Sequence, residues 1–155
     1  MKEILLRELY RNTAEYGGQE VVIKGWVRNN RASNKFGFIE LNDGSFFKSV
    51  QVVYEEEFLN NFEEIAKAYV ATALEVKGVV EITPNAKQPF EIKAREIKVE
   101  ATSTPDYPLQ PKRHSMEFLR EIAHLRPRSN MFSAVFRGYN FLLKYASIYS
   151  FFLKV

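Results

Sequence analysis

The stretch GWVRNNRASNKFGFIELNDGSFFKSVQVV, residues 25–53, contains two short runs in which apolar residues occupy every second position. In the first run, FGFIEL, Ile39 and Leu41 share one face of a strand, because successive side chains of a strand point to opposite faces. The opposite face carries two aromatic residues and one acidic residue: Phe36, Phe38 and Glu40. The pattern predicts a strand with an aliphatic inner face and an aromatic outer face.

The second run follows a predicted turn at residues 42–45 and repeats the alternation. Its inward positions are aliphatic or aromatic: Val50, Val52 and Tyr54. Gln51 therefore falls on the outer face. Three basic residues surround the loop before the first run: Arg28, Arg31 and Lys35. Aromatics that stack on bases, an amide that hydrogen-bonds a base edge and cations that neutralise phosphates are what single-stranded nucleic-acid recognition needs on a small β-barrel.

Composition narrows the class of protein without identifying a ligand. The 155 residues, 46% hydrophobic and 26% charged, indicate a globular chain with one domain, or a small domain and part of a second. Since 22 Lys and Arg face 19 Asp and Glu, the net charge of +3 does not by itself indicate a nucleic-acid partner. The absence of cysteine excludes disulfides and thiolate metal sites.

Targeting and metal-binding signals are weak in this sequence. Only three apolar residues follow the charged start before Arg7, so no signal peptide is predicted, and a cytoplasmic location is expected. His114 and His124 are ten residues apart with no carboxylate at metal spacing, and we expect helix surface or hinge packing instead of a metal site. Charged residues interrupt the apolar tail after Phe132, which argues against a membrane span.

The chain up to residue 101 predicts a small β-barrel. Five strands are predicted, at residues 20–27, 36–41, 49–54, 72–84 and 90–101. The inward faces of the first and fourth strands are predicted from alternation: Val21, Ile23, Gly25 and Val27, and Leu74, Val76, Gly78, Val80 and Ile82. Between the third and fourth, apolar residues at helical spacing predict one amphipathic helix over 54–70: Phe58, Leu59, Phe62, Ile65, Ala66 and Tyr69. A change of parity predicts a bulge near Arg95 and Glu96. Three strands, one helix and two strands is the order of the OB-fold, a mainly β, five-stranded Greek-key barrel.

Further helices are predicted on either side of the barrel. Ile4, Leu5, Leu6 and Leu9 indicate a short amphipathic helix that caps the barrel and ends at Gly17. Residues 102–113 begin with three prolines in ten residues and predict a hinge. A short helix with Met116 and Leu119 on one face is predicted after it, and a half-buried helix is expected over 132–155. Six apolar residues of that helix are expected to be partly exposed: Phe141, Leu142, Leu143, Phe151, Phe152 and Leu153.

The chain resembles a known family over residues 1 to about 137. It is similar to the N-terminal part of bacterial asparagine–tRNA ligase in an ordered set of segments: GQEVVIKGWVR, the strand pair around Phe38 and Gln51, GVV, FEIKA, YPLQPKRHSMEFLREIAHLRPRSN and FSAVFR. The resemblance implies an anticodon-binding OB-fold over 1–101, in which Phe38 stacks on the central anticodon base and the Gln51 amide reads that uracil. Arg31 falls on a basic anticodon-contact position.

The resemblance also implies partners and a parent reaction. Arg28 and Lys35 are expected to be further anticodon contacts. Arg126 and Arg128, between the two domains, are expected to contact tRNA or a dimer partner. The partner is asparagine-specific tRNA, and the full-length family forms a homodimer that uses ATP and magnesium to attach asparagine to it. Residues 114–155 then begin the catalytic domain.

The sequence departs from the family after Arg137. GYNFLLKYASIYSFFLKV only loosely resembles the motif 1 helix of class II ligases, and motifs 2 and 3, whose arginines hold ATP, are absent. We therefore expect a fragment, a truncated copy or an excerpt of a larger protein. No catalytic residue and no cofactor is expected in this chain, which is predicted to be inactive as a ligase by itself.

Other interpretations of these residues remain open. Phe38 is also compatible with ordinary packing under the N-terminal helix, Gln51 with a solvated strand, and the three loop cations with a solvated loop. Arg126 and Arg128 are compatible with a charged turn. A general single-stranded nucleic-acid binder and a protein-interaction barrel are the alternative functions. A general binder should spread aromatics over several strands, whereas here they are concentrated on one, which favours the reading of a few bases in a loop.

Overall fold

The computed structural model describes residues 2–86 and 88–152. Two compact units divide the chain, Met1–Pro111 and Lys112–Val155. Among its described residues, the first unit contains six strands and three helices: β1 (Lys2–Glu3), α1 (Leu6–Arg11), α2 (Thr13–Tyr16), β2 (Glu20–Ala32), β3 (Phe36–Asn42), β4 (Val50–Glu55), α3 (Phe62–Ala66), β5 (Ala73–Ile82) and β6 (Phe90–Ala101).

The strands β2 to β6 form a closed barrel. The sheet order is β1-β2-β3-β4-β6-β5, and β5 pairs back onto β2, so the five long strands have no open edge between them. The β4–β6 pair is parallel, and the other four pairs of the barrel are antiparallel. With α3 between β4 and β5, this arrangement confirms the predicted OB-fold. The two-residue strand β1, which pairs in parallel with β2, was not predicted.

The side chains predicted to point inward form the core of the barrel. Eight of those on β2, β3 and β4 are at most 1% exposed: Val21, Ile23, Val27, Ile39, Leu41, Val50, Val52 and Tyr54. Leu6 and Leu9 of α1 and Ile65 of α3 belong to the same cluster. Burying an aliphatic side chain of this size contributes about 1.5–3 kcal/mol, so this alternation supplies much of the driving force for closure.

The predicted bulge in the last strand is confirmed. Lys77 pairs with Glu96 and Gly78 with Ala94, which leaves Arg95 as the extra residue on β6. A second register shift, between Ala73 and its neighbour, was not predicted. Bulges increase local twist, and both shifts lie where β5 and β6 must bend to close the barrel.

Two predicted helices are wrong in their extent. The helix predicted over 54–70 is only the five residues of α3, and Phe58 and Tyr69 are exposed. Asn61 lies just before α3, because asparagine favours helix ends and turns over helix interiors. Its Nδ2 donates to the Ile97 carbonyl oxygen at 3.0 Å. The N-terminal helix is interrupted at residue 12 and leaves Leu5 exposed.

Ile82 also differs from its predicted inward position. It is exposed at the end of β5. The last pair between β5 and β2 joins Glu20 and Val79, so β5 extends three residues beyond that pair. The Ile82 side chain therefore lies beyond the β2–β5 pairs and packs beside Gly17 at the surface, outside the core.

A tertiary cap attaches α1 to the β3–β4 loop. The backbone N–H of Leu6 donates to Asp43 Oδ2 at 2.8 Å, and that of Arg7 donates to Ser45 Oγ at 3.0 Å. Gly44 between them has a φ of 79°, which L-residues with a side chain rarely adopt. The first N–H groups of a helix have no partner within the helix, so this loop satisfies two of them.

The second unit is helical. It contains α4 (Met116–Glu121), a 3-10 turn at Arg126–Arg128 and α5 (Asn130–Phe152). The Ser115 hydroxyl caps α4 by accepting from the Phe118 N–H at 3.2 Å, and Leu119 is buried whereas Met116 is exposed. Within residues 2–86 and 88–152, no helix is long and apolar enough to cross a membrane.

The last helix exposes apolar side chains, including the predicted Phe141, Leu142 and Leu143. The same prediction for Phe151, Phe152 and Leu153 falls outside the side chains that the structure describes.

Candidate nucleic-acid interface

Three neighbouring strands bring predicted contact residues together on the outside of the barrel. In the β2–β3 pair, Arg31 lies opposite Phe38. In the β3–β4 pair, Phe38 lies opposite Val53 and Glu40 lies opposite Gln51. Gln51 is thus a diagonal neighbour of Phe38, at a distance within reach of an aromatic and a long side chain. A cation, an aromatic ring and an amide therefore share one face.

An open pocket of about 380 Å³ lies on this face. It is lined by Arg31, Ala32, Ser33, Phe36, Phe38 and Gln51. Three of the five predicted anticodon-contact residues therefore line one concavity. Arg28, on β2, and Lys35, in the β2–β3 turn, are not among the lining residues. The Lys35 carbonyl oxygen accepts from the Glu56 N–H at 2.9 Å, which ties that turn to the end of β4.

Two aromatic rings stand side by side in this pocket. The centroids of Phe36 and Phe38 are 5.6 Å apart and their planes differ by 79°. Phe36 is 45% exposed, and Phe38 is half-buried. Gly37 lies between them on the inner face, where a Cβ atom would come within 2.7 Å of Tyr54 Cε1. The close approach of the Tyr54 ring requires glycine at this position.

The Tyr54 ring beneath the aromatic pair is anchored by hydrogen bonds. Its hydroxyl donates to Asn30 Oδ1 at 3.0 Å, and Asn30 Nδ2 donates to the Ile65 carbonyl oxygen at 2.8 Å. Burial raises the pKa of the Tyr54 hydroxyl, so the group stays a neutral donor at physiological pH. The buried ring beneath Gly37 is thereby connected to the C-terminal end of α3.

The Gln51 side chain is oriented by its neighbour on β6. Gln51 Nε2 donates to Glu91 Oε1 at 2.8 Å. An ionised carboxylate accepts only, so the NH₂ group of the amide must face Glu91. The Gln51 backbone N–H also donates to Gln88 Oε1 at 3.1 Å. The sequence analysis did not single out Glu91. Its outward position follows from the inward position of Ile92, but its contact with Gln51 follows only once β6 is paired with β4.

The Arg31 guanidinium is held loosely. Arg31 Nη2 lies 3.9 Å from Glu40 Oε1, and both side chains are exposed. Exposed ion pairs of this kind contribute about 0–1 kcal/mol, so a phosphate can compete for the guanidinium. Arg28 is half-buried on β2, and Lys35 is exposed.

Arg126 and Arg128 lie in the 3-10 turn of the second unit. The Arg126 guanidinium sits over the Phe132 ring, with Cζ 5.0 Å from the ring centroid. Their predicted contact with tRNA or a dimer partner stays a prediction.

Comparison with known proteins decides the family. Residues 21–100 match the family model described as an OB-fold nucleic acid binding domain. The chain belongs to this family. Within this OB-fold family, the chain is 67% identical over 137 residues to the asparagine–tRNA ligase of Alkaliphilus oremlandii, covering 88% of the chain and 29% of that protein. It is 61% identical over 152 residues to the asparagine–tRNA ligase of Acetivibrio thermocellus, covering 98% of the chain and 32% of that protein.

The resemblance to the N-terminal part of asparagine–tRNA ligase is therefore confirmed. This OB-fold chain spans about a third of the length of the relatives that it matches. A solved structure of asparaginyl-tRNA synthetase from Pyrococcus horikoshii, in complex with asparaginyl-adenylate, matches with a TM-score of 0.80 and 24% identity, covering 94% of this chain and 33% of that one. This likeness supports the fold alone.

Proposed function

We propose that the barrel is the anticodon-binding domain of an asparagine–tRNA ligase and binds the anticodon loop of asparagine-specific tRNA. The observation that carries the proposal is the pocket in which Arg31, Phe38 and Gln51 meet. Its residue types supply a phosphate contact, a stacking surface and a polar base contact within one concavity. The relatives of this chain, at 57–67% identity, carry the same ligase name.

In this proposal, the half-buried ring of Phe38 stacks on the central base of the anticodon. Loop bases are unstacked from a helix and can be turned outward, so they are accessible to an aromatic side chain on a sheet. The inner side of β3 is packed against the core, with Ile39 and Leu41 fully buried, which holds the Phe38 backbone in place. A rigid platform loses little conformational freedom when the base binds.

Gln51 supplies base selectivity in the proposal. With one N–H of Nε2 bonded to Glu91, the amide oxygen and the second N–H of Gln51 remain to face a ligand. That oxygen accepts a hydrogen bond, and uracil carries a donor at N3–H on its pairing edge. Cytosine carries an acceptor at the same position, so it would place two acceptors against each other. The site is therefore suited to uracil over cytosine.

The proposal extends to a full-length ligase of the kind that the relatives represent, of which this chain corresponds to about a third. There we propose ATP-dependent attachment of asparagine to tRNA, with ATP and magnesium as cofactors, in a cytoplasmic homodimer. In the part of the chain that the structure describes, no group of three His, Cys, Asp or Glu side chains could hold a metal ion. We assign the described residues to RNA binding and no step of the ATP chemistry to them.

Titration of the 155-residue chain tests the proposal. The ligands are an anticodon stem-loop with a central uracil, the same stem-loop with a central cytosine, and an unstructured RNA of equal length. We expect the uracil loop to bind most tightly, and we expect binding of all three to weaken with salt as phosphate contacts are screened. Equal affinity for the three RNAs would support a general single-stranded binder instead, and no RNA binding at all would support a protein-interaction barrel.

A further inference from the structure

Phe36 is an aromatic residue that the proposed contact with one base does not use. It begins β3 on the same outer face as Phe38, and nearly half of its surface is exposed. Its cross-strand neighbour on β4 is Glu55, and the preceding residue is Lys35. Phe36 is not an isolated exposed ring, because its centroid is 5.6 Å from that of Phe38 and both residues line the same pocket as Arg31.

A single base cannot stack on both rings. Because their planes differ by 79°, one flat base cannot lie parallel to both Phe36 and Phe38. Residues at positions i and i+2 of a strand are separated by roughly 6.7 Å along it, which leaves a second position beside the first. The pocket of about 380 Å³ extends along both rings.

We propose that Phe36 is a second stacking platform, which binds a nucleotide adjacent to the one on Phe38. The inference rests on the proposed function and adds to it a second base position. It makes the pocket a site for two consecutive, splayed nucleotides.

The backbone around Phe36 is held in a way that suits such a platform. The Ser33 N–H donates to the Phe36 carbonyl oxygen at 2.8 Å, which closes the β2–β3 turn. The Glu56 N–H donates to the Lys35 carbonyl oxygen at 2.9 Å, on the other side of the strand. Arg31 lies on the neighbouring strand, where its guanidinium can reach the phosphate between two nucleotides. The backbone that carries the Phe36 ring is thus fixed before any ligand binds.

The test is a thermodynamic cycle between protein and RNA. Wild type and the Phe36→Ala and Phe38→Ala variants of the full chain are titrated with the uracil stem-loop and with loops that lack a single base. One loop lacks the central base, and two others lack the base on its 5′ or its 3′ side. We expect Phe36→Ala to weaken binding of the complete loop by about 5- to 150-fold.

We further expect that this loss nearly disappears on one of the loops that lack a flanking base. On the loop without the central base, Phe36→Ala should still weaken binding, whereas Phe38→Ala should have little further effect. Phe36→Tyr should retain affinity because it keeps the aromatic face. Phe47→Ala is the matched control, since Phe47 is about equally exposed but lies in the loop at the opposite end of β3.

Two results would overturn the inference while the proposed function stands. The first is that Phe36→Ala does not weaken binding of a loop for which wild type shows the uracil preference. The second is that the loss caused by Phe36→Ala disappears only on the loop without the central base. The second result would mean that Phe36 acts solely by supporting the Phe38 ring. If wild type does not prefer the uracil loop, the proposed function fails and this inference fails with it.

Discussion

Gln51 and Glu91 are joined by a hydrogen bond across the parallel β4–β6 pair, with 2.8 Å between Nε2 and Oε1. The strand register explains the contact: Val52 pairs with Ile92, both buried, so the residues before them lie side by side on the outer face. Since the carboxylate takes the NH₂ side of the amide, the bond determines the orientation in which the Gln51 amide faces a base.

Substitution of Glu91 should therefore affect base selectivity through Gln51. Gln51→Ala should reduce the difference in binding free energy between the uracil and cytosine loops by about 1 kcal/mol, the usual contribution of a hydrogen bond. Glu91→Ala should reduce the same difference, because the amide is then free to rotate. In the Gln51→Ala background, Glu91→Ala should have no further effect on selectivity.

Titrations of the four proteins with both loops measure this coupling. Glu63→Ala is the control for removal of a negative charge, since Glu63 lies on α3 with a side chain that is almost fully exposed. Full discrimination by Gln51→Ala would contradict the assignment of Gln51, and additive effects of the two substitutions would contradict the positioning role of Glu91.

Phe38→Ala should weaken binding of the uracil loop by about 1–3 kcal/mol, the contribution of base–aromatic stacking. The fold should be retained, because Phe38 points away from the core that Ile39 and Leu41 fill. Binding is measured by titration and folding by circular dichroism. Unchanged affinity of a folded variant would mean that Phe38 only packs against the barrel surface.

Arg31→Ala should weaken binding of both loops to a similar extent, because a phosphate contact carries no base information. The slope of log affinity against log salt should fall by about 1. Lys67→Ala, at the residue that follows α3, is the matched control, since it removes an exposed cation whose ion pair with Glu63 is equally loose at 3.8 Å. Titrations at several salt concentrations distinguish the two variants, and an equal change in slope for both would contradict a local contact by Arg31.

Gly37→Ala should destabilise the barrel by about 1–3 kcal/mol, the usual cost of overpacking. The added methyl group would meet the Tyr54 ring, whose hydroxyl is held by Asn30. In a Tyr54→Leu background, the smaller side chain leaves room and the cost of Gly37→Ala should fall. Urea unfolding of the four proteins gives this coupling free energy, and equal costs in both backgrounds would show that Tyr54 is not the obstacle.

Deletion of residues 138–155 should increase solubility, because α5 exposes a run of large apolar side chains that includes Phe141, Leu142 and Leu143. Leu142→Glu is a second test that keeps the helix. The soluble fraction after centrifugation, at matched protein concentrations, is the measurement. Unchanged solubility of both variants would argue against an aggregation-prone surface on this helix.

The strands were predictable because the sheet imposes a period of two residues. The alternation in residues 36–54 separated buried Ile39 from outward Phe38 correctly, and the change of parity at Arg95 revealed the bulge. Helix lengths were less predictable. Helical spacing over 54–70 indicated one long helix, but β4 continues to Glu55, and Asn61, bonded to β6, precedes α3 instead of lying within it.

The sequence by itself determined the strands, the core and the set of residues on the outer face, because burial of every second side chain leaves few alternatives. Tertiary structure decided which outer residues meet. The contact of Gln51 with Glu91 depends on a parallel pairing between segments 40 residues apart. The nearly perpendicular rings of Phe36 and Phe38 flank Gly37, and the Tyr54 ring leaves room only for glycine at that position. The first contact depends on the register of two non-consecutive strands and the second on how side chains pack within the β3–β4 pair, and a local sequence pattern carries no information about either.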